Sequence, residues 1–167
     1  MKRLSVIIES MRTVFTAEKL WDGISLLDRP IVVVEDGRIA SIATQASSEI
    51  PAQAKTLNFP GATLSPSFFD VHIHGSAGHD VMEGTPESLA AIGGFLASRG
   101  TGSYLATTVT ASLDATFSAL SGLAKIVANP DSLPTTAARP LGIHLEGPFL
   151  SHQKRGVHPP QSCLLPT

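Results

Sequence analysis

The chain has 167 residues, 43% of them hydrophobic, 16% charged and 5% aromatic, with a formal net charge of −2 and an isoelectric point of about 6.3. That composition suits one ordinary globular domain, or one with a small annex, able to bury roughly 70% of its unfolded surface. It excludes a basic field for nucleic acid and an aromatic platform for stacked bases. Cys163 is the only cysteine, which excludes a disulfide framework and a thiolate zinc cluster. The six histidines are the more informative count.

At the amino terminus, Lys2 and Arg3 precede an apolar run at 4–8 that Glu9 stops, too short for the core of a signal peptide. No stretch approaches the ~18 uninterrupted apolar residues of a spanning helix, so the expectation is a cytoplasmic protein with no membrane partner. The first sixty residues read as β-structure. The β-branched run at 31–35, Asp36-Gly37 and the alternating run at 38–42 predict a hairpin, because Asp-Gly suits the positive φ of its turn. Residues 56–59 form another short candidate strand, closed by Pro60-Gly61, and 46–51 read as loop.

From Ala62 the rhythm changes. The apolar segment 68–73 ends at His74-Gly75. A helix is predicted over 86–99, with Thr85 as N-cap, Pro86 in its first turn and Gly100 ending it. The uncharged, β-rich run 103–110 predicts a buried strand. Residues 113–128 repeat at helical spacing, with Leu113, Phe117, Leu120, Leu123 and Val127 on the apolar face. A Pro-rich linker at 129–140 leads to a third strand at 141–145. This order predicts an α/β chain with a parallel sheet and right-handed crossovers. The expected domains are 1–61, a small β-layer, and 62–167.

Three segments carry chemistry. In Asp70-Val71-His72-Ile73-His74-Gly75, histidines at i and i+2 of a strand point to one face and can reach one metal ion as neutral nitrogen ligands. Gly75 is expected to let the chain turn sharply there. The same pair also suits half-buried histidines bonded to backbone. In Gly142-Ile143-His144-Leu145-Glu146-Gly147, Glu146 closes a buried strand, where a carboxylate is costly unless paired or metal-bound. It suits equally an acid exposed at a strand end. Taken together, the imidazoles and the carboxylate favour zinc, iron or manganese over magnesium. In Lys154-Arg155-Gly156-Val157-His158, Lys154 and Arg155 read as a solvated basic loop. His79, His152 and Cys163 read as surface or packing residues.

The segments VEDGRI (34–39), DVHIHG (70–75) and GIHLEGPFL (142–150) resemble the amidohydrolase superfamily. HLEGPF followed by KRGVHPP (154–160) narrows the resemblance to N-acetylglucosamine-6-phosphate deacetylases. It implies a metal-dependent hydrolase: the first three strands of a TIM-type (β/α)₈ barrel, preceded by part of a small β-sandwich. It implies hydrolysis of the acetamide of N-acetylglucosamine 6-phosphate, a phosphorylated amino sugar, to glucosamine 6-phosphate and acetate. It implies a divalent metal held by His72, His74 and Glu146, sugar contacts from Val157 and His158, and a homo-oligomer for the complete enzyme. Ser67 and Phe69 stand where the family has glycine and isoleucine. The family's two further metal-ligating histidines and its acid/base aspartate fall beyond Thr167. The chain therefore reads as an amino-terminal piece with no catalytic acid or base of its own, inactive and poorly soluble in isolation. Two alternatives stand beside this: an inactive fragment serving as a metal- or partner-binding module, and another amidohydrolase such as a dihydroorotase.

Overall fold

The computed structural model describes residues 12–166, and the apolar run at 4–8 lies outside them. The chain divides into two compact units that part between Pro66 and Ser67. Among the described residues, no helix is long and apolar enough to cross a membrane.

The first unit is a five-stranded sheet organised on β1 (Arg12–Trp21). β1 pairs antiparallel with β2 (Leu26–Asp28) and β3 (Pro30–Glu35), and parallel with β5 (Lys55–Leu64). The expected hairpin forms between β3 and β4 (Arg38–Thr44), with Asp36 and Gly37 at φ +50° and +75°. Two positive φ values in succession match the right-handed twist of the flanking strands. Val14, Ile31 and Val33 make a small core.

One strand differs from expectation. β5 does not stop at Pro60; it runs on to Leu64. Its pairing passes from Ala17↔Phe59 to Lys19↔Thr63, so two extra residues bulge from the ladder around Pro60. A bulge is a place where a residue without an N–H leaves no bond unmade.

The second unit is α/β. Its sheet has the order β10–β9–β6, all parallel, built from β6 (Phe68–Ile73), β9 (Thr101–Thr108) and β10 (Arg139–Leu145). Between β6 and β9 run a tight hairpin of β7 (Gly75–Ser76) and β8 (His79–Asp80), a single 3₁₀ turn and α1 (Pro86–Ala97). Thr85 caps α1 as predicted, accepting from the Ser88 N–H in a capping box. α2 (Leu113–Ala128) links β9 to β10. Tyr104 and Ala106 of β9 pack on Leu89, Ile92 and Leu96 of α1 and on Leu123 and Ile126 of α2, joined by Ile73 and Ile143. One face of the sheet thus carries the core, and strand alternation sends the intervening side chains to the other.

α2 buries the predicted face only in part: Leu123 is fully buried and Leu120 and Val127 are half-buried. Ala119, Leu123 and Ile126 are inside, whereas Leu113 and Phe117 are 50% and 64% exposed. The small residues help set the rotation. Ala119 and Gly122 lie against the backbone of Gly84, and a Cβ at Gly122 would overlap the Gly84 carbonyl oxygen. A larger side chain on that face would hold the helix off, so apolar periodicity alone misassigns part of it.

Tyr104 is fully buried, and its hydroxyl finds no hydrogen-bond partner among the described residues. Burial pushes its pKa from the ordinary 10.0 up to about 12. An unfolded chain releases that proton first, so stability declines as pH rises from 10 towards 12. Tyr104→Phe should remove this alkaline loss. At neutral pH it should leave stability unchanged or raise it by up to about 1 kcal/mol, since an unpaired buried hydroxyl is deleted. Urea denaturation of both proteins at neutral and alkaline pH checks this.

Candidate metal centre

The end of β6 is irregular. Its pairing with β9 passes from Asp70↔Tyr104 to Ile73↔Ala106, so three steps of β6 oppose two of β9. The bulge frees two backbone N–H groups, and side chains take both. His72 N–H donates to Asp70 Oδ1 at 3.0 Å, and Ile73 N–H donates to Thr107 Oγ1 at 3.1 Å. Gly75, expected to provide a turn, serves instead for close approach: a Cβ there would overlap the His79 carbonyl oxygen of the β7–β8 hairpin.

His74 Nδ1 donates to the Thr107 carbonyl oxygen at 3.1 Å, because a carbonyl can only accept. In the neutral ring this leaves Nε2 as a bare lone pair, and Nε2 lies 2.8 Å from Glu146 Oε2. His72 Nε2 is 3.1 Å from that same oxygen and 3.1 Å from His74 Nε2. Acceptors so close repel unless a proton or a cation lies between them. Two imidazole nitrogens and one carboxylate oxygen are an ordinary donor set for a divalent transition metal. Tetrahedral ligands at about 2.1 Å from a metal stand about 3.4 Å apart. The three atoms need only spread by a few tenths of an ångström, so His72, His74 and Glu146 fit such an ion.

Glu146 follows β10 directly and is held by its own backbone. Its N–H reaches the Thr108 carbonyl oxygen at 3.3 Å, and its carbonyl oxygen accepts from Thr110 Oγ1 at 3.1 Å. The next residue, Gly147, has φ +93°, and a Cβ there would overlap Thr110 Oγ1. Only glycine lets the chain leave that corner.

His158 completes the cluster. Its Nε2–H donates to Glu146 Oε1 at 3.1 Å, and its side chain is only 11% exposed. The loop carrying it is tied back by Leu164 N–H to Pro148 O at 2.8 Å and by His152 Nε2 to Cys163 O at 3.3 Å. Burial pushes the Glu146 carboxyl up, but the His158 hydrogen bond and the positive charges of His158, His74 and His72 outweigh it. The carboxyl lies below its ordinary value.

The residues singled out from sequence therefore part company. His72, His74, Glu146 and His158 meet, whereas Val157 stands in solvent, 99% exposed. Lys154 is exposed. His79 pairs with Glu83 in the 3₁₀ turn. Sequence reasoning missed Thr107, which looked like one more β-branched residue of a buried strand. It also gave no role to His144, whose ring stands edge-on to His72 with centroids 4.9 Å apart. The only hint was the i−2 spacing from Glu146.

No family model matches the chain. Among curated proteins it is 34% identical over 151 residues to an N-acetylgalactosamine-6-phosphate deacetylase of Escherichia coli O157:H7, covering 90% of this chain and 37% of that one. It is 39% identical over 128 residues to the N-acetylglucosamine-6-phosphate deacetylase of Lysinibacillus sphaericus, covering 77% of this chain and 31% of that one. Among solved structures, the N-acetyl-D-glucosamine-6-phosphate deacetylase of Mycobacterium smegmatis superposes with a TM-score of 0.76 at 29% identity, over 93% of this chain and 38% of that one. The Pasteurella multocida enzyme superposes with a TM-score of 0.79 at 22% identity, which bears on the fold alone. The chain spans about a third of the length of these relatives.

These neighbours are hydrolases of the amidohydrolase class. Within that class, the chain is similar to about a third of the length of proteins most of which are N-acetylglucosamine-6-phosphate deacetylases.

The Glu146–His158 bond gives a direct test. A carboxyl whose folded pKa is depressed adds stability above the unfolded pKa, and that stability is lost as pH falls through the folded value. In the metal-free chain, the carboxyl carbon of Glu146 should titrate below the ordinary glutamate range. His158→Leu should move that midpoint upward and, with the depression gone, make stability depend less on acid while lowering it at neutral pH. An NMR pH titration of both proteins reads the shift.

Proposed function

We propose that this chain forms the metal-binding part of a deacetylase that hydrolyses the acetamide of N-acetylglucosamine 6-phosphate. The observation that carries the reading is the meeting of His72, His74 and Glu146 from two parallel strands in a relative of such enzymes. In this reading the three-stranded parallel sheet begins a (β/α)₈ barrel, and the first sheet, whose β5 runs on to Leu64, is part of a small β-sandwich. A divalent ion held there supplies a nucleophilic water at neutral pH and a Lewis acid for the acetamide carbonyl.

The chain's own residues have separable tasks. His74, fixed by Thr107, and His72 offer Nε2 to the ion. Glu146 offers Oε2 while His158 holds Oε1, which keeps the carboxylate ionised and aimed. In the neutral ring the remaining nitrogen of His158, Nδ1, is a lone pair that can accept from a sugar hydroxyl. Val157, fully exposed beside it, is free to meet a sugar ring.

A related M. smegmatis deacetylase variant has been solved in complex with N-acetyl-D-glucosamine-6-phosphate, which supports this sugar. The E. coli relative named for the galactosamine sugar makes the C4 epimer the natural comparison substrate. In the whole protein carrying this chain, acetate release from N-acetylglucosamine 6-phosphate should depend on Zn²⁺, Fe²⁺ or Mn²⁺. It should fall at least about 100-fold in Glu146→Gln, since one ligand and its charge balance are lost. Metal-independent release, or faster release from the galactosamine epimer, would redirect the assignment.

A second reading is favoured by one observation: among the described residues, no aspartate joins the cluster. Asp70, the closest in sequence, spends a carboxylate oxygen on His72 N–H. A leaving amine needs an acid. On this reading the 167-residue chain binds zinc, measurable by calorimetry and weakened in Glu146→Gln, without releasing acetate.

A further inference from the structure

We propose that the Thr107 hydroxyl sets the aim of the His72–His74 pair, which makes Thr107 a positioning residue of the metal centre. The proposal rests on the metal reading above, and its geometry is independent of any ion.

The β6 bulge places His72 and His74 on either side of one peptide N–H, that of Ile73. A bulged N–H has no ladder acceptor and must be satisfied otherwise. Thr107 Oγ1 accepts it at 3.1 Å, and donates its own proton to the Leu105 carbonyl oxygen at 3.1 Å. Both roles of the hydroxyl are thereby used, so its rotor is fixed. The backbone of the same residue takes His74 Nδ1–H at 3.1 Å, which fixes that ring's tautomer and tilt. Thr107 is fully buried on β9, the central strand, and offers no ligand itself. One residue thus fixes the peptide between the two imidazoles and the far nitrogen of one of them. Partners of this kind are worth roughly 10- to 100-fold in metal affinity.

Two substitutions separate aim from packing. Thr107→Val keeps shape and removes the hydroxyl, leaving the Ile73 N–H buried without a partner. Thr107→Ser keeps the hydroxyl and removes the methyl. The experiment measures Zn²⁺ affinity by calorimetry, the visible absorption of the Co²⁺-loaded chain, and amide exchange at Ile73 without metal. The valine variant should bind zinc about 10- to 100-fold more weakly, show an altered Co²⁺ spectrum and exchange faster at Ile73. The serine variant should restore wild-type affinity, spectrum and protection.

Valine binding as tightly as wild type, or serine binding more weakly than valine, overturns the proposal in favour of packing. If the valine variant does not fold, Thr107→Ala against Thr107→Ser reads the same contrast: weaker binding by alanine supports it, equal binding overturns it. If wild type binds no zinc and Glu146→Gln changes nothing, the metal reading has failed and this proposal falls with it. If wild type binds and only the Thr107 contrast is absent, the proposal alone has failed.

Discussion

The structure of the second unit depends on one carboxylate facing three imidazoles. Glu146 Oε2 lies within 3.1 Å of two histidine nitrogens, and Oε1 lies 3.1 Å from a third. Unless a proton or a cation lies among them, the lone pairs at Oε2 and at the two Nε2 atoms repel. Such a cluster is held only if the backbone beneath it cannot relax. Gly147 and Thr110 hold the corner after Glu146, and Thr107 holds the bulge before His74. The strain of bringing these groups together is thereby borne by buried hydroxyls and one glycine rather than by the ligands.

The sheet divides its labour by strand parity. Ile73, Tyr104, Ala106 and Ile143 face the helices and bury the apolar core. The neighbouring positions, His72 and His144 among them, face the other way. The ligands come from the two outer strands or just beyond them. The central strand contributes only second contacts: Thr107 to His74 and to the Ile73 N–H, and Thr108 to the backbone of Glu146. A site spread over three strands is positioned by register, so a slip of one residue would send every ligand into the core side.

What could be read from the sequence follows from which signals are local. Asp36-Gly37 announces its hairpin because two positive φ values need those residues. Thr85-Pro86 announces α1 because capping is satisfied within one turn. The His-x-His spacing and Glu146 were legible because strand alternation and burial cost are short-range rules. Other features were decided at long range. β1 carries mixed polarity along ten residues and shows itself only by pairing with three other strands. The inward face of α2 is set by the close approach of Ala119 and Gly122 to Gly84, 35 positions before Ala119, as well as by Leu123 and Ile126, and it leaves Leu113 and Phe117 outside. Thr107 looks like any β-branched strand residue until the bulge of another strand needs an acceptor.

The pairing of Glu146 with His158 has a consequence for how the carboxylate can act. With Oε1 committed to His158, only Oε2 faces the two histidines. The His158 bond also anchors a loop that Leu164 and His152 tie back. The adjacent residues Val157 and His158 express the same arrangement in opposite directions. His158 is turned inward to fix the carboxylate, and Val157 is left in solvent. Loop closure and ligand aim are thus a single structural problem in this unit, met by one histidine.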